Sequence, residues 1–403
     1  MDVNKIKLLL CSSDQIHTKT SQIKIYKEKL NQSFETTFFD VFSYFKLYGR
    51  SETEKYIKNI INKFQVLIIT TDKPYYSFDF FNNLKKINSN LIIVYTDGDA
   101  ILNFPGYSIN FVNDIDLFAI TDSIKVVNFL KERNKKSIFF YTQFKEDFHK
   151  LENRNKTKDV IFYGGKKTRE KHLEYIEKNN IKLNLYGRGF HGFFTNISEL
   201  NKNINESKIG LSINLIKPEL KWFETKFNEW DKSIHVKGKN FEIPLCGTFL
   251  LTEYLEDLDE LYNNKKEAVF FNDKREMVDL IKYYLNKDDK REEIALAGYK
   301  RALSYYEGSK MLDKLINEIK EIFKNKEYKA QKKISYKREN NRFVCWSLNY
   351  AIYFLKKKNF KALFDMLKVI KLGIPSSYII FKLKVLLINI IIFLKSAVSF
   401  KKK

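Results

Sequence analysis

Cysteine is scarce in this chain, and the few cysteines are poorly placed to act together. Three occur, Cys11, Cys246 and Cys345, far apart and without Cys-x-x-Cys spacing, and the whole sequence contains only five histidines. This pattern excludes a disulfide scaffold and a structural zinc site, so we expect no metal. It is typical of a protein in a reducing compartment, and we expect a cytoplasmic location.

Long apolar segments are also missing. The longest uncharged apolar run, residues 385–394, is about half as long as a helix that crosses a bilayer. Near the N-terminus the apolar stretch 6–11 is short, is interrupted by Lys7 and has no basic segment before it. We therefore expect neither a transmembrane helix nor a secretory signal.

Acidic residues are under-represented, but unevenly. The chain has 72 Lys and Arg against 49 Asp and Glu, a net charge of +23. Residues 326–403 carry 19 of the basic residues and only 3 acidic ones, whereas residues 1–325 have a net charge of only +7. This distribution argues against a nucleic-acid groove in the body of the protein, and we expect no nucleic-acid partner.

The basic C-terminal region has an amphipathic pattern. Residues 342–358 and 359–372 are predicted to form a helical hairpin, and an apolar stretch with lysines follows at 378–394. One helical face is predicted to carry Phe360, Leu363, Phe364, Leu367 and Ile370. We expect residues 326–403 to lie on an anionic membrane surface, and a chain ending near Lys324 to stay folded. The alternative is a helical appendage packed on the body, with solvated lysines.

The rest of the chain alternates short apolar runs with helical, charge-patterned stretches. The runs lack strict alternation, which is typical of strands buried on both faces of a parallel sheet. Strands are predicted at 6–11, 66–70, 91–95, 117–120, 137–141, 160–163, 183–186, 209–213, 248–251 and 268–271. Helices are predicted at 52–63, 123–133, 169–178, 274–285, 292–305 and 310–323, with Ser123 and Asp273 as N-caps.

This series is too long for one doubly wound sheet, and the polar stretch 152–159 interrupts it near the middle. The predicted fold class is therefore α/β, with two facing Rossmann-like βαβ domains and a basic helical C-terminal extension. We expect a first domain at 1–155, a second domain at 156–325 and the extension at 326–403.

Two strands of the second half end in glycine. The segment 159–165 (DVIFYGG) places Gly164 and Gly165 after a buried strand, and basic residues up to Arg169 then open a helix. Gly187 follows the next strand in the same way. Backbone amides at such a turn and helix start favour an anion such as a diphosphate. The alternative is a tight turn that needs glycine only for its geometry.

A second motif, VKGKNFEIPLCGTFLLTE, occupies residues 236–253. It predicts a basic loop, a short helix at 240–246 and an apolar strand. Lys237 and Lys239 can face phosphate, and the Glu242 carboxylate can accept hydrogen bonds from two hydroxyls of a ribose or hexose. The alternative is that Glu242 caps its helix and the lysines are solvated.

This motif resembles the donor-site signature of GT-B glycosyltransferases, in particular the CgeB-like spore-maturation branch, which reads Arg-x-Phe-Glu-x-x-Ala-Cys-Gly-x-Phe-Leu-Leu-Thr. The resemblance covers about residues 158–325 and includes the helix IALAGYKR at 294–301. It implies a nucleotide-sugar-dependent transferase with a nucleotide-sugar-binding domain at 156–325 and an acceptor-side domain at 1–155. In such an enzyme Glu242 would contact the ribose, and the loop at Gly164 and Gly165 would approach the diphosphate. Phe241 and Gly247 match the signature. Lys239 replaces its arginine, and Ile234 stands where the wider superfamily often has a further glutamate.

Candidate residues in the first half are fewer. His17 lies in the loop after the first strand and is a candidate general base, or simply an exposed loop histidine. Asp97 and Asp99 follow another strand with the Asp-x-Asp spacing of metal-dependent GT-A transferases. Because the predicted fold is not GT-A, the two aspartates are instead candidates for acceptor contacts or ordinary turn residues.

The expected function is transfer of a sugar from a nucleotide-diphosphate sugar to a cell-surface glycan or lipid-linked acceptor, by an enzyme peripheral on the inner face of the cell membrane. No cofactor is expected beyond the nucleotide-sugar co-substrate. Two alternatives stay open: a nucleotide-sugar epimerase of the same architecture, and a non-catalytic basic protein that binds membrane or RNA.

Overall fold

The structure, a computed structural model, comprises two parallel α/β domains and a helical hairpin. It describes residues 6–12, 22–70, 75–98, 100–141, 155–190, 192, 194, 196–215, 235–325 and 341–372. The boundary predicted at residue 155 falls between the last strand of the first sheet and the first strand of the second. His17 and Asp99 lie outside the described residues.

The first domain is built on a six-stranded sheet with the order β2-β1-β3-β4-β5-β6, and all of its strands are parallel. Parallel neighbours need crossover connections, which are helices here. Its strands are β1 (Lys7–Ser12), β2 (Glu35–Asp40), β3 (Val66–Thr70), β4 (Ile92–Asp97), β5 (Leu117–Ile120) and β6 (Ser137–Phe139). Its helices are α1 (Gln22–Ser33), α2 (Val41–Ile60), α3 (Phe80–Ile87), α4 (Ala100–Gly106) and α5 (Ile124–Glu132), with 3-10 turns at Ile61–Lys63 and Ser108–Phe111.

The second domain is built on a five-stranded parallel sheet with the order β11-β10-β9-β7-β8. Its strands are β7 (Lys158–Tyr163), β8 (Leu183–Tyr186), β9 (Ser207–Ser212), β10 (Phe249–Glu253) and β11 (Val269–Phe271). The helices of this half are α6 (Glu170–Lys178), α7 (Ile197–Asn205), α8 (Lys239–Leu245), α9 (Asp257–Leu261), α10 (Lys274–Leu285), α11 (Asp288–Tyr305) and α12 (Gly308–Lys324).

All ten predicted strands occur, and both predicted N-caps are confirmed. The Ser123 side chain accepts a hydrogen bond from the Val126 N–H, and Asp273 accepts from the amides of Arg275 and Glu276. One strand was not predicted: β2, the edge strand of the first sheet, whose sequence ETTFFD is only partly buried.

The last helix of the second half returns to the first domain. On α12, Asp313 pairs with Lys29 at 3.2 Å and Glu318 pairs with Lys136 at 3.3 Å. The apolar face of α12 is buried against this domain, with Leu312, Leu315 and Ile319 fully covered. The helix therefore fastens the two domains together, although in sequence it belongs to the second.

The predicted helical hairpin is present as α13 (Asn341–Lys356) and α14 (Phe360–Leu367), followed by a 3-10 turn at Lys368–Leu372. It packs on α2, which bends at Gly49 (φ 82°, ψ −177°). A Cβ at Gly49 would lie 2.9 Å from the Ala362 Cβ, so the close approach of hairpin and α2 requires glycine here.

Phe343 on α13 is buried and contacts Phe78 of the first domain with ring centroids 4.5 Å apart. The hairpin covers part of the first domain's core, which agrees with the alternative of a helical appendage packed on the body. That a chain ending near Lys324 stays folded is not tested by this packing, and we now expect such a chain to be destabilised. Within the described residues, no helix is both long and apolar enough to cross a membrane.

Candidate active site

Two glycine turns meet at the carboxyl edge of the second sheet. Gly164 follows β7 and Gly187 follows β8, with φ values of 132° and 114°. The Gly164 N–H donates to the Tyr186 carbonyl at 2.9 Å. A Cβ on Gly187 would lie 2.5 Å from the Gly164 oxygen, so conformation and contact both require glycine at position 187. The backbone geometry therefore agrees with the interpretation that these positions are tight turns that need glycine.

The turn at Gly164 and Gly165 also lies between two cationic side chains. The Lys239 Nζ is 3.4 Å from the position that a Cβ on Gly164 would take, and the Arg169 Nη1 is 3.9 Å from the corresponding position on Gly165. The missing side chains leave the backbone accessible between two positive charges. Such a combination of free backbone and fixed cations is suited to an anion.

Lys239, at the start of α8, is buried and only 8% exposed. Its Nζ donates to the Tyr163 carbonyl at 2.8 Å and lies 4.1 Å from the centroid of the Phe162 ring. Burial lowers the pKa of Lys239 well below its usual value, and the charge of Arg169 lowers it further, while Glu242 opposes the shift. An anion bound beside Lys239 would stabilise its charged form.

Arg169, directly before α6, is the second buried cation. Its Nη2 donates to the Leu215 carbonyl at 2.6 Å. Its Nε is buried and has no hydrogen-bond partner among the described residues. Burial lowers the pKa of the guanidinium, and Glu253 opposes the shift. The guanidinium is thus held by a backbone carbonyl beside the glycine turn, where it adds a second positive charge.

Glu242 lies one helical turn beyond Lys239, and its two carboxylate oxygens are held by tyrosines. Oε2 accepts from the Tyr163 hydroxyl at 2.8 Å and Oε1 from the Tyr141 hydroxyl at 3.3 Å. Burial raises the pKa of Glu242, while these two hydrogen bonds and the charge of Lys239 hold it down. The alternative role of capping the helix is not observed, since the carboxylate faces the tyrosines instead.

Phe241 and Gly247, the other signature residues near Glu242, make contacts within the fold. Phe241 is fully buried and stacks on Tyr141, with ring centroids 4.3 Å apart. Gly247 has a φ of 64° and follows α8, where its N–H donates to the Pro244 carbonyl at 2.7 Å. Both residues orient α8 and the strand that follows it, and the predicted donor contacts of Phe241 and Gly247 stay predictions.

A buried polar network lies next to the site, at the carboxyl ends of β9 and β10. Asn214 donates to the Thr252 hydroxyl at 3.0 Å and accepts from the Asn240 amide at 3.0 Å. Glu253 accepts from the Asn214 N–H at 2.8 Å, and burial raises its pKa. The network fixes the start of α8 and therefore the position of Lys239.

The first domain contacts this region through Asp122, which follows β5. Its Oδ2 is 2.6 Å from the His235 Nδ1, and its carbonyl accepts from the Val236 N–H at 3.2 Å. Lys237 lies beside the same imidazole and contacts its Nε2. The basic loop before α8 is thus held between the two sheets, and Lys237 is turned towards His235 in this structure.

Asp97, the one candidate residue of the first half that lies within the described residues, is not brought to this site. Asp97 at the end of β4 is fully buried. Its carboxylate accepts from the Asn103 amide at 2.7 Å and from the Ser108 hydroxyl at 2.5 Å. A contact with an acceptor hydroxyl is incompatible with this burial, and the structure instead gives Asp97 a role in holding α4 and the turn after it. Among the described residues, no cluster of His, Cys, Asp and Glu could hold a metal ion.

The overall fold is that of GT-B glycosyltransferases, as expected. The chain is similar to sucrose-phosphate synthase from Thermosynechococcus elongatus, with a TM-score of 0.56 and 9% identity over 79% of this chain and 99% of that one. It is also similar to a glycosyltransferase from Rickettsia africae (TM-score 0.54, 13% identity, 80% and 100% covered). Anabaena HepE, in complex with UDP and glucose, is a third (TM-score 0.52, 9% identity, 79% and 100% covered). At these identities the likeness establishes the fold alone.

Residues 167–317 match a family model described as glycosyl transferase-like. The match covers a little over a third of the chain and includes Arg169, Lys239 and Glu242. No curated protein matches the sequence. The family match and the GT-B fold agree with the predicted enzyme class, a glycosyltransferase.

Sequence reasoning missed several residues that shape the site. Tyr141 and Tyr163 end or follow predicted strands and carry no motif of their own. Asn214 and Glu253 follow strands of the second sheet, and that position at a carboxyl edge was the one signal that could have identified them. Their importance comes from contacts between elements far apart in sequence.

Proposed function

We propose that this protein is a glycosyltransferase that transfers a sugar from a nucleotide-diphosphate sugar, bound by its second domain. The observation that carries the proposal is the pair of buried cations, Lys239 and Arg169, on either side of the Gly164–Gly165 turn. Two desolvated positive charges beside an accessible turn without side chains match the diphosphate of such a donor.

In this proposal the cations and amides bind the diphosphate and stabilise the negative charge that develops as it leaves. Such preorganised groups act strongly because they are already in place and are shielded from water. Glu242 is placed to accept hydrogen bonds from the donor's ribose, with Tyr163 and Tyr141 fixing the orientation of its carboxylate. Burial raises the pKa of Glu242, which agrees with a carboxylate that lacks solvent.

The first domain is proposed to hold the acceptor, a cell-surface glycan or a lipid-linked sugar. We also propose that the enzyme belongs to the CgeB-like type and works at the cytoplasmic face of the membrane, held there by residues 326–403. The sequence supports the location, because this region contributes 19 basic and 3 acidic residues. Anionic lipid attracts such a segment.

The test begins with the donor alone. A panel of nucleotide sugars is screened by thermal shift, and binders are incubated with and without lipid-linked and glycan acceptors. We expect a donor to raise the melting temperature, transfer to occur only with an acceptor, and turnover to survive EDTA. A saturating ligand at 100 times its Kd stabilises by about 2.7 kcal/mol, which is easily measured. Conversion of the donor to its epimer without acceptor, or no binding across the panel, would contradict the proposal.

A matched pair of variants links this activity to the site. Lys239→Met removes one of the two buried charges, whereas Lys287→Met removes an exposed lysine of the same domain. We expect the first to weaken donor binding by about tenfold to a hundredfold, from the loss of a charge-assisted hydrogen bond. The second is expected to bind the donor as the unmodified protein does.

A further inference from the structure

The hairpin leaves an apolar face uncovered. Fourteen large apolar or aromatic side chains are exposed among the described residues, and six of them belong to the hairpin and the turn after it. These six are Ile352, Leu355, Phe360, Phe364, Ile370 and Leu372. We call them, together with two neighbours on α2 named below, the hairpin face. Concentrated exposure of this kind marks an interaction surface.

The exposure arises because α14 is apolar on two sides. Ala362 and Met366 are fully buried against the first domain. Phe360 and Phe364, one turn apart on the other side, are 57% and 64% exposed. Packing against the body uses only the first side, so two aromatic rings stay outside although the helix is well anchored.

The two neighbours on α2 are Leu47 and Tyr48, exposed at 62% and 50%. The Asn359 amide, in the turn between α13 and α14, donates to the Leu47 carbonyl at 2.8 Å. On the next turn of α2, the Asp365 carboxylate accepts from the Ser51 N–H at 2.8 Å. These contacts hold the hairpin against α2 and place Leu47 and Tyr48 beside it.

Lysines surround this face. Within residues 341–372 the only acidic residue is Asp365, whose carboxylate is engaged by Ser51. The exposed lysines of this segment are Lys356, Lys357, Lys358, Lys361, Lys368 and Lys371. Two of them have acidic partners, since Lys361 pairs with Glu52 of α2 at 2.8 Å and Lys368 pairs with Asp365 at 3.5 Å. Exposed aromatic and aliphatic side chains bordered by lysines are typical of a helix that lies in a membrane interface. A second copy of the face would bring like charges together, which argues against self-association.

The sequence beyond the hairpin has the same character. Residues 373–403 contain six lysines and no acidic residue, and they include the apolar run 385–394. From residue 366 to residue 403 the sequence therefore has lysines and no acidic residue, which favours an anionic surface.

We propose that the hairpin face docks on an anionic lipid bilayer and so holds the first domain against it. The inference rests on the membrane location in the proposed function and deepens it: the docking surface is a preformed part of the folded first domain and not only a basic tail. Phe360 and Phe364 enter the interface, and the surrounding lysines contact lipid headgroups.

The experiment uses the full chain and vesicles of phosphatidylcholine with or without phosphatidylglycerol. The test variant is Phe360→Ser with Phe364→Ser. The matched control is Leu296→Ser with Tyr305→Ser, at exposed positions 42% and 56% accessible on α11 of the second domain. We expect the test variant to partition onto anionic vesicles about a hundredfold more weakly, roughly tenfold for each ring. The control and the unmodified protein should partition equally, and more weakly on neutral vesicles.

A second variant keeps the test decisive if the double serine variant folds poorly. Phe364→Trp should gain a blue-shifted fluorescence on anionic vesicles, and brominated lipid should quench it. Unquenched Phe364→Trp fluorescence, or equal partition of the test variant and the unmodified protein, would overturn the proposal and assign binding to residues 373–403. A dimer in light scattering that the double serine variant converts to a monomer would overturn it as well.

Donor binding measured on the same samples, without vesicles, separates the two proposals. Donor binding without vesicle binding contradicts the hairpin face alone. Vesicle binding that depends on Phe360 and Phe364, without binding of any nucleotide sugar, contradicts the proposed transferase activity and leaves the docking surface intact.

Discussion

The carboxyl edges of the two sheets carry acidic residues in very different surroundings. At the first sheet, Asp97 is fully buried and takes hydrogen bonds from Asn103 and Ser108 of its own domain. At the second, Glu242 is held by two tyrosine hydroxyls and lies near the buried cation Lys239. An acid at a strand end is therefore weak evidence for a site. The stronger sign at the second sheet is the pair of buried cations, Lys239 and Arg169, beside a turn without side chains.

The largest expected effect is on the stability of the first domain, because the hairpin covers part of its core. A chain ending at Asn325 loses the hairpin and exposes the partners of Phe343, which contacts Phe78 at 4.5 Å and Tyr107 at 6.0 Å between ring centroids. We expect loss of cooperative unfolding in a thermal melt, because removing one buried phenylalanine alone costs about 3–5 kcal/mol. A chain ending at Leu372 is the control and should melt cooperatively. Equal melting of both chains would show that the hairpin is dispensable.

The next prediction compares one glycine from each sheet. Gly187 has positive φ, and a Cβ there would lie 2.5 Å from the Gly164 oxygen. Gly98, after β4, has open space, with the nearest atom, the Thr121 Oγ1, at 3.8 Å. Gly187→Ala should lower the free energy of unfolding by about 2–4 kcal/mol, and Gly98→Ala should change it by about 1 kcal/mol or less. Denaturant titration measures both. Similar losses for the two variants would remove the distinction between the two edges.

A smaller effect is expected when the two acidic residues, Asp97 and Glu242, are each replaced by the corresponding amide. Asp97→Asn should lower the free energy of unfolding by about 1–3 kcal/mol, because an NH2 group replaces one carboxylate oxygen and one buried donor loses its acceptor. The Kd for the nucleotide sugar should be unchanged. Glu242→Gln should raise the donor Kd about tenfold without loss of stability, because burial already disfavours its charge. Denaturant titration and calorimetry decide between these outcomes. The reverse pattern would move the site to the first sheet.

The sequence predicted most elements because parallel strands buried on both faces are continuous apolar runs, as in β3 and β5. It did not predict β2, because an edge strand that is only partly buried can contain polar residues such as Glu, Thr and Asp. It also placed a helix at 52–63 where α2 already begins at Val41, since the bend at Gly49 divides the periodic pattern. That bend is stabilised by the hairpin, which is more than 300 residues away in sequence.

For the site, the sequence predicted residues whose role depends on local backbone. Gly164, Gly187 and Lys239 follow from strand ends and from one short motif. The sequence was misleading at Asp97, because the donors that satisfy it come from α4 and the turn after it. It was silent on Tyr141, since only folding brings the end of the first domain within 3.3 Å of Glu242.

The smallest expected effect is on pH dependence. Burial raises the folded-state pKa of Glu242, and the Tyr163 hydrogen bond holds it down. If the ionised carboxylate binds the ribose, donor affinity is full above this pKa and is lost as pH falls through it. Tyr163→Phe removes a stabilising hydrogen bond from the charged form, so the acidic limb of the affinity profile should move to higher pH. Calorimetry across a pH series with both proteins measures this. An unmoved limb would exclude Glu242 as the titrating group.

The central claim is that Lys239 and Arg169 form a diphosphate site, and one comparison tests it most directly. Calorimetry measures the affinity of the best-binding nucleoside diphosphate and of its parent nucleoside, for the unmodified protein, Lys239→Met and Arg169→Met. We predict that each variant weakens diphosphate binding by about tenfold or more and leaves nucleoside binding unchanged. Equal weakening of both ligands, or no change in either, would contradict the account.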